Sequence, residues 1–126
     1  MTGEEIQELV GAQRTFFNSG ATLSVDFRIK SLRKLYDAVK AHEGDIHAAL
    51  TADLGKSAYE GFMCESGLAL TEISYMIKHT RKLARRTTVR TPLAQFASHS
   101  FTQAVPYGNT LVMSPWNYPF LLTIDP

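Results

Sequence analysis

The chain of 126 residues contains one cysteine, Cys64. No internal disulfide framework can form, and a reducing compartment suits it. No apolar run approaches the about 20 residues that a membrane-spanning helix needs. The N-terminus carries Glu4 and Glu5 instead of the basic start of a secretory leader. A formal net charge of +1 gives no general field for nucleic acid or an anionic membrane. His42, His47, His79 and His99 show no compact ligand spacing with Cys or carboxylates, so no metal site is expected. No Gly-rich dinucleotide fingerprint follows a strand pattern. Gly55-Lys56-Ser57 resembles the end of a phosphate-binding loop, yet Leu50 stands where that loop needs glycine, in a helical context. The chain reads as soluble and cytoplasmic, without a nucleoside-triphosphate site.

The length allows one domain with one modest core, burying roughly two-thirds of the unfolded surface. Four helices are expected. Thr2 and Glu5 have capping-box spacing, and Ile6, Leu9, Val10, Phe16 and Phe17 fall near one face until Asn18-Ser19-Gly20 stops the helix. Ser24 can cap a second, with Ile29, Leu32, Leu35, Tyr36 and Val39 as its stripe. Ile46, Ala49, Leu50 and Leu54 make a third, ended by Gly55. Ser57 and Glu60 form a second capping-box pair, opening a long fourth helix to about Arg85 with Phe62, Ala69, Ile73, Met76, Ile77 and Leu83 on its apolar side.

Residues 1–92 therefore form a helical segment, and 93–126 a connection, a hairpin and a proline-rich end. The basic, β-branched stretch Arg86–Leu93, broken by Pro92, reads as an exposed connection. Phe101–Val105 and Thr110–Ser114 read as two strands around a turn at Tyr107-Gly108-Asn109. The fold class is mainly α with a short β-hairpin. Cys64 lies inside a predicted helix with no His close in sequence, so it reads as a buried structural thiol. The basic stretch from Lys78 to Arg90 lacks interleaved aromatics and sits where cations favour a helix C-terminus. It gives no case for nucleic-acid binding.

Most of the chemistry lies in Pro106-Tyr-Gly-Asn-Thr-Leu-Val-Met-Ser-Pro-Trp-Asn-Tyr-Pro-Phe120. Pro115 and Pro119 fix their own φ and push Ser114 and Tyr118 towards extended geometry, which leaves Trp116 and Asn117 few conformations. An asparagine held stiffly can aim its neutral NH2 at an oxygen that becomes negative during reaction. The alternative is an Asn that caps a turn beside a core Trp.

These residues resemble the aldehyde dehydrogenase superfamily, in which a Pro-x-Gly turn, an apolar strand and a Pro-Trp-Asn-Tyr/Phe-Pro segment occur in this order. Here they are Pro106–Gly108, Leu111–Met113 and Pro115–Pro119. Ala52-Asp-Leu-Gly-Lys56 and Glu72-Ile-Ser-Tyr-Met-Ile77 are similar to the class 3, fatty or aryl aldehyde branch. The likeness runs from about Ser24 to the end.

The resemblance implies the helical N-terminal part of that family's α/β fold, incomplete without a downstream parallel sheet. It also implies a mechanism: a cysteine thiolate attacks the aldehyde, hydride passes to NAD or NADP, and a glutamate helps hydrolyse the thioester. By the same resemblance Asn117 is the oxyanion donor, and Met113, Ser114, Pro115 and Trp116 line the cofactor side. Tyr118, Phe62 and Met63 border the aldehyde channel, and the enzyme is a homo-oligomer. The family's nucleophile lies far downstream, so Cys64 does not take its role. The chain is expected to be an N-terminal quarter, catalytically silent alone. The competing class is a small helical protein-binding module, or a remnant without catalysis. An unfinished domain leaves apolar strands unpaired, so the chain should self-associate in sedimentation velocity at micromolar concentration, whereas a monomeric, cooperatively folded species favours the module.

Overall fold

Thr2 opens the first helix as its spacing with Glu5 predicts. The Thr2 N–H donates to Glu5 Oε2 (2.6 Å) and the Glu5 N–H donates back to Thr2 Oγ1 (3.3 Å), which satisfies two end groups of α1, Gly3–Asn18. The computed structural model describes residues 1–126. A 3-10 turn follows, and Ser24 Oγ caps α2, Val25–Ala41, by accepting from the Phe27 N–H (3.3 Å). Next comes α3, Glu43–Leu54, closed by Gly55 at φ +68°, where any side chain would be strained. Ser57 accepts from the Glu60 N–H (3.2 Å), which is the only half of that capping box to form.

The long fourth helix is corrected. It divides into α4, Ala58–Gly61, a π-turn over Phe62–Ser66, and α5, Gly67–Leu83. One extra residue in the turn re-phases the side chains. Phe62 and Met63 come to lie exposed while Glu65 and Ser66 become fully buried. The turn also explains Gly67: its N–H bonds the Phe62 carbonyl, and a Cβ there would stand 2.7 Å from that oxygen and 3.1 Å from the Phe62 ring.

The main packing is α2 against α5. The buried apolar residues are Ile29 and Val39 of α2, Ala69 and Ile73 of α5, and Leu50 of α3. The expected apolar face of α1 is largely unpartnered: Ile6, Leu9 and Phe16 are exposed, and none of its residues is buried. Its links are the Phe16–Phe27 ring pair and a bond from Asn109 Nδ2 to the Val10 carbonyl (3.2 Å). Leu54 and Leu83, expected on apolar stripes, are exposed as well, and Cys64 is half-buried. No helix is long and apolar enough to cross a membrane.

The hairpin forms elsewhere than expected. The sheet pairs β1, Thr87–Val89, antiparallel to β2, Ser100–Thr102, in the register Thr87↔Thr102, Thr88↔Phe101 and Val89↔Ser100. The stretch expected as a connection thus supplies a strand, because its β-branched residues suit extended pairing. The Arg86 guanidinium lies over the Phe101 ring and donates to Gln103 Oε1 (2.6 Å), which locks the pair laterally. Residues 110–114 form no strand. An apolar run of this kind needs neighbours on both sides, and here Leu111 and Met113 face solvent. A 3-10 turn precedes β2, and α6, Leu121–Ile124, is the last helix.

The accessible surface is 9853 Å² for 14.0 kDa, whereas a compact monomer of this mass exposes about 6,700 Å². Only 10 of 126 residues are buried, so much of the apolar surface is placed but not covered. Gly67→Ala should lower stability by about 1–3 kcal/mol, because the new methyl displaces either the π-turn carbonyl or the Phe62 ring. The denaturation midpoint checks this, with Gly3→Ala, where the space is open, as the control.

Candidate functional site

The proline-rich end is held by one ion pair. Gly55 turns the chain out of α3, and the Thr51 hydroxyl donates to the Lys56 carbonyl (2.7 Å), so the Lys56 backbone is fixed. From there its side chain runs inward and is 7% exposed. The ammonium pairs with Glu65 Oε1, from the π-turn, and donates to the backbone carbonyl of Asn117 (2.9 Å). It also lies 4.5 Å from the centre of the Tyr118 ring.

Glu65 is 0% exposed. Its second oxygen, Oε2, accepts from the N–H groups of Phe120 (3.1 Å) and Leu121 (2.9 Å). Those groups open α6 and have no partner in their own helix, so a distant carboxylate caps it. Burying two charges is costly unless each finds good partners, and here every strong contact of the pair is to its mate or to this segment. Thr123 Oγ1 closes the outer side, within hydrogen-bond distance of Ser114 Oγ (2.8 Å) and the Pro119 carbonyl (2.6 Å).

Asn117 itself is exposed, and its carboxamide makes no hydrogen bond; only its carbonyl is engaged. Trp116 is 90% exposed, so neither half of the turn-cap-and-core alternative describes this chain. Of the other expected site residues, Met113 and Pro115 are exposed, Ser114 is half-buried, and Tyr118 lies against Lys56. Phe62 and Met63 project to solvent from the same π-turn that sends Glu65 inward. The Lys56–Glu65 pair thus ties the two regions into one unit. Motif reasoning on Gly55-Lys56-Ser57 does not find it. A signal is present, since Glu65 falls on the apolar phase of Phe62, Ala69, Ile73 and Met76, where a carboxylate needs a buried partner.

Two other features carry no chemistry at this place. His47 Nε2 is 2.9 Å from Ser66 Oγ, which donates to Glu43 Oε1 (3.4 Å). The set matches a Ser-His-acid triad in composition only. Ser66 is closed off from solvent, and the acid approaches the same ring nitrogen as the serine, not the opposite one. These residues lock α3 to the π-turn. A cavity of about 570 Å³ lies between α2, α5 and the loop at Ala104–Gly108 and touches none of the expected site residues. A smaller one, about 370 Å³, opens between α3 and Pro119–Ile124. Burial first, and the Glu72 carboxylate second, push the Asp125 carboxyl above the usual carboxylate range; no site residue is involved.

Known proteins share both this sequence and this arrangement. The model described as the aldehyde dehydrogenase family matches residues 1–125. The 4,4'-diaponeurosporen-aldehyde dehydrogenase of Staphylococcus aureus is 38% identical over 113 residues, covering 90% of this chain and 25% of that protein. The dimeric NADP-preferring aldehyde dehydrogenase of Canis lupus familiaris is 40% identical over 123 residues, covering 97% of this chain and 27% of that one. An Arabidopsis thaliana aldehyde dehydrogenase family 3 member is 36% identical over 122 residues. Among solved structures, substrate-bound Staphylococcus aureus AldH superposes with a TM-score of 0.89 at 35% identity, over 98% of this chain and 27% of that one. The chain spans about a quarter of the length of these relatives. Its motifs, its folded helices and these matches agree that it belongs to the aldehyde dehydrogenase family.

Proposed function

We propose that, in an enzyme of its relatives' length, these residues serve the NAD(P)-dependent oxidation of an aldehyde to a carboxylic acid, with Asn117 as oxyanion donor. The observation that carries this reading is the contrast at Asn117: its backbone is clamped by Lys56 while its carboxamide is exposed and unengaged. A preorganised neutral donor of this kind stabilises charge that develops only as the carbonyl is attacked, and it needs no reorganisation at that moment. The cysteine nucleophile and the glutamate belong to other parts of such an enzyme, so the 126 residues alone are silent.

Met113, Ser114, Pro115 and Trp116 fit one wall of a nicotinamide dinucleotide site. Met113, Pro115 and Trp116 offer exposed apolar faces against which a planar ring can pack, with the half-buried Ser114 between them, but no cationic or glycine-rich phosphate cradle. When bound, the dinucleotide accepts hydride. The dog relative is named NADP-preferring, which keeps NADP beside NAD in the proposal. Tyr118, Phe62 and Met63 border the aldehyde path. Catalysis takes place in the cytoplasm, in a homo-oligomer. The surplus of about 3,000 Å² over a compact monomer supports burial against further protein, as at an obligate interface, over a free-standing binding module.

In the full-length enzyme, Asn117→Ala should slow acylation by about 10²- to 10³-fold and leave cofactor affinity nearly unchanged. Burst-phase kinetics with a medium-length or aromatic aldehyde, alongside cofactor titration, check both halves. Equal turnover in the variant would remove the oxyanion role.

A further inference from the structure

We infer that Lys56 and Glu65 are positioning residues for Asn117, acting on turnover through the backbone frame and not merely through stability. The inference rests on the oxyanion reading of Asn117 and adds the device that aims it. Four contacts from one ion pair reach the segment on both sides of Pro119. Lys56 Nζ holds the Asn117 carbonyl (2.9 Å) and lies against the Tyr118 ring, and Glu65 Oε2 holds the N–H groups of Phe120 (3.1 Å) and Leu121 (2.9 Å). With Pro119 fixed in φ between these anchors, the peptide plane that carries the Asn117 side chain has little freedom left.

The choice of a charged pair also needs this explanation. Holding α6 against the π-turn would require only packing, and an apolar pair of similar volume does that at equal or lower cost in free energy. A cation and an anion, in contrast, impose directions: the ammonium selects a carbonyl and the carboxylate selects amide hydrogens. The π-turn serves the same end. In a regular helix Phe62 and Glu65, three residues apart, share a face; across the π-turn Phe62 is exposed while Glu65 is fully buried. Apart from the Tyr118 ring beside Lys56, the pair touches only backbone and itself, so its effect on kcat passes through Asn117, and any effect through Tyr118 would show in KM for the aldehyde.

Stability and positioning separate experimentally. Lys56→Met alone strands the Glu65 charge and can prevent folding, so the decisive variant is the double replacement Lys56→Met with Glu65→Met, which removes both charges together. In the full-length enzyme this variant should keep its thermal midpoint within a few degrees yet lose about 10²-fold in kcat, as for a donor displaced by about 1 Å, with KM for aldehyde and cofactor little changed. Placed on Asn117→Ala, the double replacement should cost almost nothing further, because the donor it aims is already gone. Three results overturn the inference: full kcat in the apolar pair, an equal loss of kcat with and without Asn117, or a raised KM while kcat holds. If Asn117→Ala by itself has no effect on turnover, the oxyanion reading falls and this inference with it; if Asn117→Ala slows the enzyme and the apolar pair does not, only the positioning role is lost.

Discussion

A buried ion pair between residues nine apart in sequence organises the far end of this chain. Lys56 leaves the C-terminus of α3 and Glu65 sits in the π-turn, so the pair first joins two helical pieces. Its remaining hydrogen-bonding capacity goes to Asn117, Phe120 and Leu121. Without it, the proline-rich segment would keep the stiffness of its prolines but lose its place. The rest of the local structure supports the pair. Gly55 aims Lys56, Gly67 admits the π-turn, and the His47–Ser66–Glu43 contacts pin that turn to α3.

Around this anchored point lies much surface without a neighbour. Trp116, Tyr107, Met113 and Leu111 are almost fully exposed, and residues 110–114 have strand composition without a strand partner. The chain spans about a quarter of its relatives' length, and the superposition on one of them extends over 98% of this chain. The helices are thus formed in the family's arrangement within these residues, while residues 111–118 present most of their side chains outward.

What is legible in the sequence is local. Thr2 with Glu5, Ser24 before α2 and Gly55 after α3 act through bonds spanning a few residues, and the structure has them where spacing places them. The five-residue segment from Pro115 to Pro119 is legible for another reason, as a pattern of rare residues shared with a family. Less local features are not. The π-turn has no marker residue, since it arises where an inserted residue is tolerated by packing and by Gly67. The hairpin lies elsewhere than its composition suggests because two suitable strands do not specify which partner each finds. Thr87–Val89 and Ser100–Thr102 pair across a 3-10 turn that no short-range turn signal announces. Within its tripeptide Lys56 shows none of its role, although Glu65 on an apolar helix phase asks for a cation.

The most direct test of the anchoring is amide hydrogen exchange at Phe120 and Leu121 in the wild-type chain and in the double variant Lys56→Met with Glu65→Met, which strands no buried charge. Neither amide has a backbone acceptor, so Glu65 is their only source of protection. Both should exchange slowly in the wild type and at close to free-peptide rates in the variant, while the amides of α2 stay protected. Fast exchange in the wild type, or equal protection in both proteins, would contradict the claim that the buried pair holds the Asn117 segment in place.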